Sequence, residues 1–196
     1  MSNLKEIIFK YIKEANKYID NNMYIYGNYH LRFWERKDIN FAPIEKKLGY
    51  PLHQSIKDYY NSYSIKNMYG YIKMPTEDEA QIKFKNKYYQ IFSFHDTTKT
   101  FITHDFKMYF QRKVRDKVRD KLSMIEIAIS TDECYFLYLN NQNGQIYYLQ
   151  VDFDPNEKEC LEKPIKLYNS LEELFCDMTQ NLKMRLEPNE IEYLFP

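Results

Sequence analysis

The stretch from Met124 to Val151 constrains the fold more than any other part of this chain. MIEIAI alternates, ECYFLYL is aromatic and strand-like, and QIYYLQV returns after Asn140-Asn141-Gln142-Asn143-Gly144. Such a polar run with a glycine available for positive φ is a turn, so the segment reads as a β-hairpin. Two strands alone are marginal in water, and further strands or helices must cover their apolar face.

The rest of the sequence supplies those partners. Leu4, Ile7, Ile8, Tyr11, Ile12, Ala15 and Ile19 form one apolar stripe, which predicts an N-terminal helix within residues 1–22. A short helix is expected from Ile44 to Leu48, stopping at Gly49. After Pro51, Ile56, Tyr59, Tyr60 and Tyr63 share a helical face. Residues 81–94 read as extended, with a turn at Asn86-Lys87. Phe106, Phe110, Val114, Val118 and Leu122 recur at every fourth position or nearly so and predict a long helix from Asp105 to Lys121. Ser170 and Glu173 form a capping box opening a final helix that buries Leu171, Leu174, Phe175, Met178 and Leu182. Pro188 is expected to end the regular part. The order is helices, strands, one long helix, a meander and a closing helix. It predicts a single α+β domain over 1–196, with a central, mostly antiparallel sheet flanked by helices.

Composition removes several function classes. The chain has 196 residues with 28 Lys+Arg against 28 Asp+Glu, so it lacks the basic bias of a dedicated nucleic-acid binder. Gly27, Gly49, Gly70 and Gly144 are isolated, which excludes the clustered glycines of dinucleotide and P-loop folds. Cys134, Cys160 and Cys176 are an odd set without a C-x-x-C, pointing to a reducing compartment. Lys5, Glu6, Lys10, Lys13 and Glu14 interrupt the N-terminus, so no signal-peptide core is expected there. No run approaches a transmembrane span. The expectation is a soluble, cytoplasmic protein.

Catalytic signals are weak. His95-Asp96 and His104-Asp105 repeat a dipeptide able to bind a divalent cation, but each falls at an element boundary, where Asp serves as a cap or turn former. Acidic neighbours Glu157, Glu159 and Glu162 suppress the Cys160 thiolate. Cys134 reads as a strand residue, and Cys176 as lying beside the buried stripe. We therefore expect no enzyme activity, no catalytic residue, no cofactor and no metal.

Charge is uneven along the chain. Residues 107–121 hold seven Lys and Arg against Asp116 and Asp120, whereas residues 122–196 hold 14 acids against 5 bases. The basic run reads as a solvated helix face or, less favoured, as a ridge for phosphates or an acidic protein. The acids gather at Asp152, Asp154, Glu157 and Glu159, which read either as a solvated loop or as a surface that would attract a basic partner. In Met23–Trp34, the residues Tyr24, Tyr26 and Trp34, with Arg32, either cover the core or form a protein-binding anchor set.

Leu48–Tyr63 (LGYPLHQSIKDYYNSY), the helix at Asp105–Lys121, the hairpin at Tyr135–Asp152 and Leu167–Met178 (LYNSLEELFCDM) follow one another as in the SUKH superfamily of immunity proteins. The resemblance is strongest to its Syd-like branch and covers about residues 44–180. It implies a central sheet flanked by helices, no catalytic residues, and binding to a cognate polymorphic toxin domain, often a nuclease or deaminase. For the Syd-like branch it implies instead an adaptor for the SecY translocon. The neutral total charge departs from the acidic character of that branch. The partner-binding candidates (Tyr24, Tyr26, Trp34, Asp152, Asp154, Glu157 and Glu159) come from the residues themselves and not from the resemblance. A protein partner is expected, with no direct contact to nucleic acid.

Overall fold

Residues Tyr135–Asn140 and Ile146–Gln150 form the expected hairpin, β7 and β8, with Tyr138 opposite Tyr147 and Leu137 opposite Tyr148. A computed structural model describes residues 3–17, 31–35, 38–66, 68–97, 124–150 and 164–194. In these residues the helices are α1 (Asn3–Lys17), α2 (Ala42–Leu48), α3 (Gln54–Ser62) and α4 (Leu171–Asn181). The other strands are β1 (Arg32–Glu35), β2 (Tyr63–Lys66), β3 (Tyr69–Met74), β4 (Ile82–Phe84), β5 (Lys87–Phe94), β6 (Met124–Ser130), β9 (Ile165–Tyr168) and β10 (Ile191–Tyr193). Their order gives an eight-stranded sheet, β10-β4-β5-β6-β7-β8-β9, with β3 on the other edge of β5 and a separate β1–β2 ribbon. Every pairing among the described strands is antiparallel. The chain is an α+β protein, as the sequence predicts.

Strand β5 organises the sheet. One edge takes β3, from Tyr69 opposite Ser93 to Met74 opposite Tyr88. The other edge is shared, with β4 on Lys87–Tyr89 and β6 on Phe92–Phe94. The gap between them falls at Ile91. Its carbonyl accepts from the Thr131 N–H at 2.9 Å, its own N–H donates to Gln81 Oε1 at 3.4 Å, and Thr131 Oγ1 donates to the same Oε1 at 2.9 Å. The Thr131 backbone and the Gln81 side chain thus replace the missing ladder bonds at the fork.

The helices pack on one face of this sheet. Leu4, Ile8, Tyr11 and Ile12 of α1, Ile56, Tyr59 and Tyr60 of α3, and Leu174, Phe175 and Met178 of α4 join Phe92, Phe94, Ile127, Leu137 and Leu139 in one core. Gly70 is where α4 comes closest to β3. A Cβ there would lie 2.4 Å from the Met178 methyl, so the approach requires the missing side chain. The opposite face is apolar too. Tyr71, Ile82, Tyr89 and Ile91 bury against Met184, and Phe136, Tyr138, Met124 and Leu149 form a third cluster. Strand β7 is consequently buried at five successive residues, where simple alternation predicts one wet face.

Several local expectations are corrected. The β4–β5 turn centres on Lys85-Asn86, both with positive φ, one residue before the predicted Asn86-Lys87. Tyr63 is buried, but as the first residue of β2 and not on the face of α3. Chain order resumes past Pro188, where β10 pairs with β4. The final cap forms with a shift: Ser170 Oγ accepts from the Glu173 N–H at 3.2 Å, while Glu173 Oε2 accepts from the Asn169 N–H at 2.7 Å. Ile19 and the helix expected at Asp105–Lys121 lie outside the described residues.

The β7–β8 turn also docks on the start of α3. Asn141 Oδ1 accepts from the His53 N–H at 2.7 Å, and Asn141 Nδ2 donates to the Pro51 carbonyl at 2.9 Å. Gly144, at φ 73, lies so close that an added Cβ would stand 2.6 Å from the His53 ring. Gly144→Ala is therefore expected to destabilise the fold by about 1–2 kcal/mol from backbone strain alone. Chemical denaturation should show a lower midpoint with an unchanged slope; an unchanged midpoint would refute this account of the turn.

Candidate partner-binding surface

Strand β1 is only RFWE, and its alternation decides what each side chain does. Phe33 turns inward, 5.9 Å from the Phe9 ring of α1 and 5.5 Å from the Tyr63 ring of β2, edge to face in both cases. Phe9 and Tyr63 stack at 5.9 Å and complete an aromatic triad. The ammonium of Lys13 lies 4.4 Å from the Phe9 ring centre and that of Lys5 5.2 Å from the Tyr63 ring centre, both within cation–π range. Burial, and after it the Glu35 carboxylate, hold the Tyr63 phenol above its usual pKa.

Period two then sends Arg32 and Trp34 to the outward face. Arg32 lies directly opposite Lys66, and Trp34 opposite Ser64. Trp34 is 50% exposed although it is the only tryptophan in the chain. Arg32 and Lys66 are exposed as well. The ribbon therefore has an aromatic inner face that fixes it and an outer face with one indole beside two paired cations.

Thr97 attaches this ribbon to the main sheet. It is fully buried, just past the end of β5. Its N–H donates to the Ile65 carbonyl at 3.1 Å, its hydroxyl donates to the Tyr63 carbonyl at 2.6 Å, and the same oxygen accepts from the Ile65 N–H at 2.8 Å. One residue thus acts as a short extra strand against β2.

The other sequence candidates divide in two. Tyr24, Tyr26, Asp152, Asp154, Glu157, Glu159, His104 and Cys160 lie outside the described residues, as does the basic run at 107–121. Of those described, His95 does follow the end of β5. Its Nε2 lies 2.8 Å from Glu126 Oε1, both side chains being under a tenth exposed. That contact engages Nε2 with a carboxylate inside the protein. Among the described residues no three His, Cys, Asp or Glu side chains converge as a metal site would need. Cys134 sits in the β6–β7 turn and not in a strand. Its thiol is pushed above the usual pKa by burial, then by Asp132 and Glu133. Cys176 lies on α4 next to the buried Phe175, as the sequence reading has it, with its own side chain exposed.

Sequence reading singled out Trp34 and Arg32 but missed Lys66, Ser64 and the Phe9 buttress. Their connection is a non-local pairing between residues 32–35 and 63–66, for which the short RFWE segment carries no periodic signal.

A model of the SMI1 / KNR4 family (SUKH-1) matches residues 37–177. No curated protein matches the sequence. The matching family lies within the SUKH superfamily but is not the Syd-like branch, for which no support is found. Among the described residues no helix is long and apolar enough to cross a membrane.

Thr97→Val keeps the shape of the side chain and removes its hydroxyl. The variant is expected to lose about 2 kcal/mol, because a buried N–H and a buried carbonyl each lose a partner. Trp34 fluorescence should also report a loosened ribbon before global unfolding. Full wild-type stability in urea would show that Thr97 does not hold the ribbon.

Proposed function

The chain belongs to the SMI1/KNR4 family (SUKH-1), a family of the SUKH superfamily of immunity-type and generally non-enzymatic proteins, and on that premise we propose that it binds and neutralises a cognate polymorphic toxin. The toxin is a nuclease or another nucleic-acid-acting domain, and neutralisation works by covering its active cleft inside the cytoplasm. No bond is made or broken by the protein itself. The observation that carries this reading is Trp34, half exposed on a buttressed ribbon beside Arg32. Tryptophan and arginine dominate the energetics of protein interfaces, and a rigid anchor loses little entropy on docking.

Tyr24 and Tyr26, close in sequence to Trp34, add aromatic contact in this reading. The acids Asp152, Asp154, Glu157 and Glu159 steer a basic toxin toward the complex. Protection must persist while toxin arrives, so a nanomolar or tighter complex, about −12 kcal/mol, is required. The translocon-adaptor alternative depended on the Syd-like branch, and no observation favours it.

Co-expression with its cognate toxin should rescue growth, and the two purified proteins should form a stable complex. Trp34→Ala should weaken that complex by about 30-fold, a cost of about 2 kcal/mol, with unfolding unchanged. A toxin that kills equally with and without the protein would overturn the reading. Reversing Asp152 and Asp154 to lysine should slow association severalfold and flatten its salt dependence. Unchanged association kinetics would remove the steering role.

A further inference from the structure

We propose that the outward face of the β1–β2 ribbon is a carboxylate-reading dock for an acidic segment of the protein partner, with Arg32 and Lys66 holding the acid and Trp34 walling it. The inference rests on the partner-binding reading above and specifies what this surface binds.

The cations carry the argument. Arg32 and Lys66 are directly paired across the ribbon, so their side chains emerge on the same face. Like charges placed opposite each other weaken a sheet, and this ribbon is only four residues long on each strand. Among the described residues neither cation has an ion-pair partner. Some lysines elsewhere are paired with acids, Lys83 with Glu192 at 3.4 Å, Lys85 with Glu187 and Glu190, and Lys57 with Glu45 at 2.6 Å, whereas on the ribbon two cations face each other. An anion between Arg32 and Lys66 would relieve the repulsion that the described residues leave in place.

The surroundings favour a carboxylate. A guanidinium presents a planar fork that matches a carboxylate through two parallel bonds, and the Lys66 ammonium can approach from the facing strand. Trp34 and Ser64 flank the pair one alternation along the ribbon. The indole keeps water from one side and strengthens the ion contact, while the serine hydroxyl can donate to a second oxygen. Phe9, Phe33 and Tyr63 hold the ribbon from beneath, with Lys5 and Lys13 lying over the Tyr63 and Phe9 rings. A nucleic acid is less suited. A phosphate backbone is bound by a track of cations over several phosphates, and the chain as a whole carries no net positive charge.

Trp34 is the only tryptophan, so its emission reports this surface alone. The test titrates the full-length protein at low salt with a blocked decapeptide of alternating Asp and Glu. The Asn/Gln counterpart, oligo(dT) and inorganic phosphate serve as separate arms. The acidic peptide should change Trp34 emission saturably, and the Arg32→Ser, Lys66→Ser double variant should weaken that binding at least tenfold. The same double variant should unfold at an equal or higher denaturant concentration than wild type, since it removes a repulsion. No saturable change, equal binding of the Asn/Gln peptide, or tighter binding of oligo(dT) or phosphate would overturn the dock. A clear loss of stability in the double variant would overturn it too, because the cations would then be structural. Two further results separate the dock from the immunity reading. Full protection from the toxin by an Arg32→Glu, Lys66→Glu variant would remove the dock and leave immunity standing. A wild-type protein that binds the acidic peptide yet protects no cell would remove immunity and leave the dock.

Discussion

Three hydrogen bonds around Thr97 decide whether this molecule has a usable surface. The β1–β2 ribbon shares no strand with the eight-stranded sheet, and its aromatic inner face alone would leave it free to slide. By donating and accepting along β2, Thr97 gives the ribbon a register relative to β5. A buried N–H or carbonyl left without a partner is costly, so an incomplete clamp weakens the native arrangement. The orientation of Trp34 follows from this register through Ser64 and Ile65.

Strand β5 in turn takes its position from the helical layer. Phe92 and Phe94 enter the same core as α4, and Gly70 lets that helix settle against β3. The polar link between these layers is small and specific. Asn181 donates to the Tyr71 carbonyl and to Asp177, and Asp177 also accepts from Tyr168 at 2.6 Å. One carboxylate thereby joins α4 to β9, while the asparagine joins it to β3. Burial, with Asp177 next to it, holds the Tyr168 phenol far above its ordinary pKa, so it stays a donor at any physiological pH.

Periodic signals made the class of fold legible, and non-local contacts explain what escaped. The hairpin, α1, α3 and α4 each carry their pattern within about a dozen residues, where spacing alone reveals which face is buried. The β4–β5 turn moved by one residue because Lys85 accepts positive φ, a conformation with a steric cost that sequence reading assigns to other residue types. Lys85 also pairs with Glu187 and Glu190, acids about a hundred positions away that no local rule could connect to it. Strand β10 is three residues long and exists because β4 offers an edge. Tyr63 fits the helical period and the strand equally well, and only its pairing with Glu35 chooses. At the candidate site, residue type identified Trp34 and Arg32, while Lys66 became meaningful only through the cross-strand register.

A sheet buried on both faces has little broad surface to offer a partner, so recognition must move to its margins. The exposed large apolar side chains among the described residues follow this rule: Trp34 in β1, Ile165 in β9, Tyr193 in β10 and Leu186 shortly before β10. Exposed strand edges invite unwanted pairing, and proteins blunt them with charge. At the β4–β10 end that charge is internally balanced, lysine against glutamate. On the ribbon it is not, since Arg32 faces Lys66. A second copy approaching this face would meet like charge, whereas in the dock proposed above a surface of opposite charge would meet attraction.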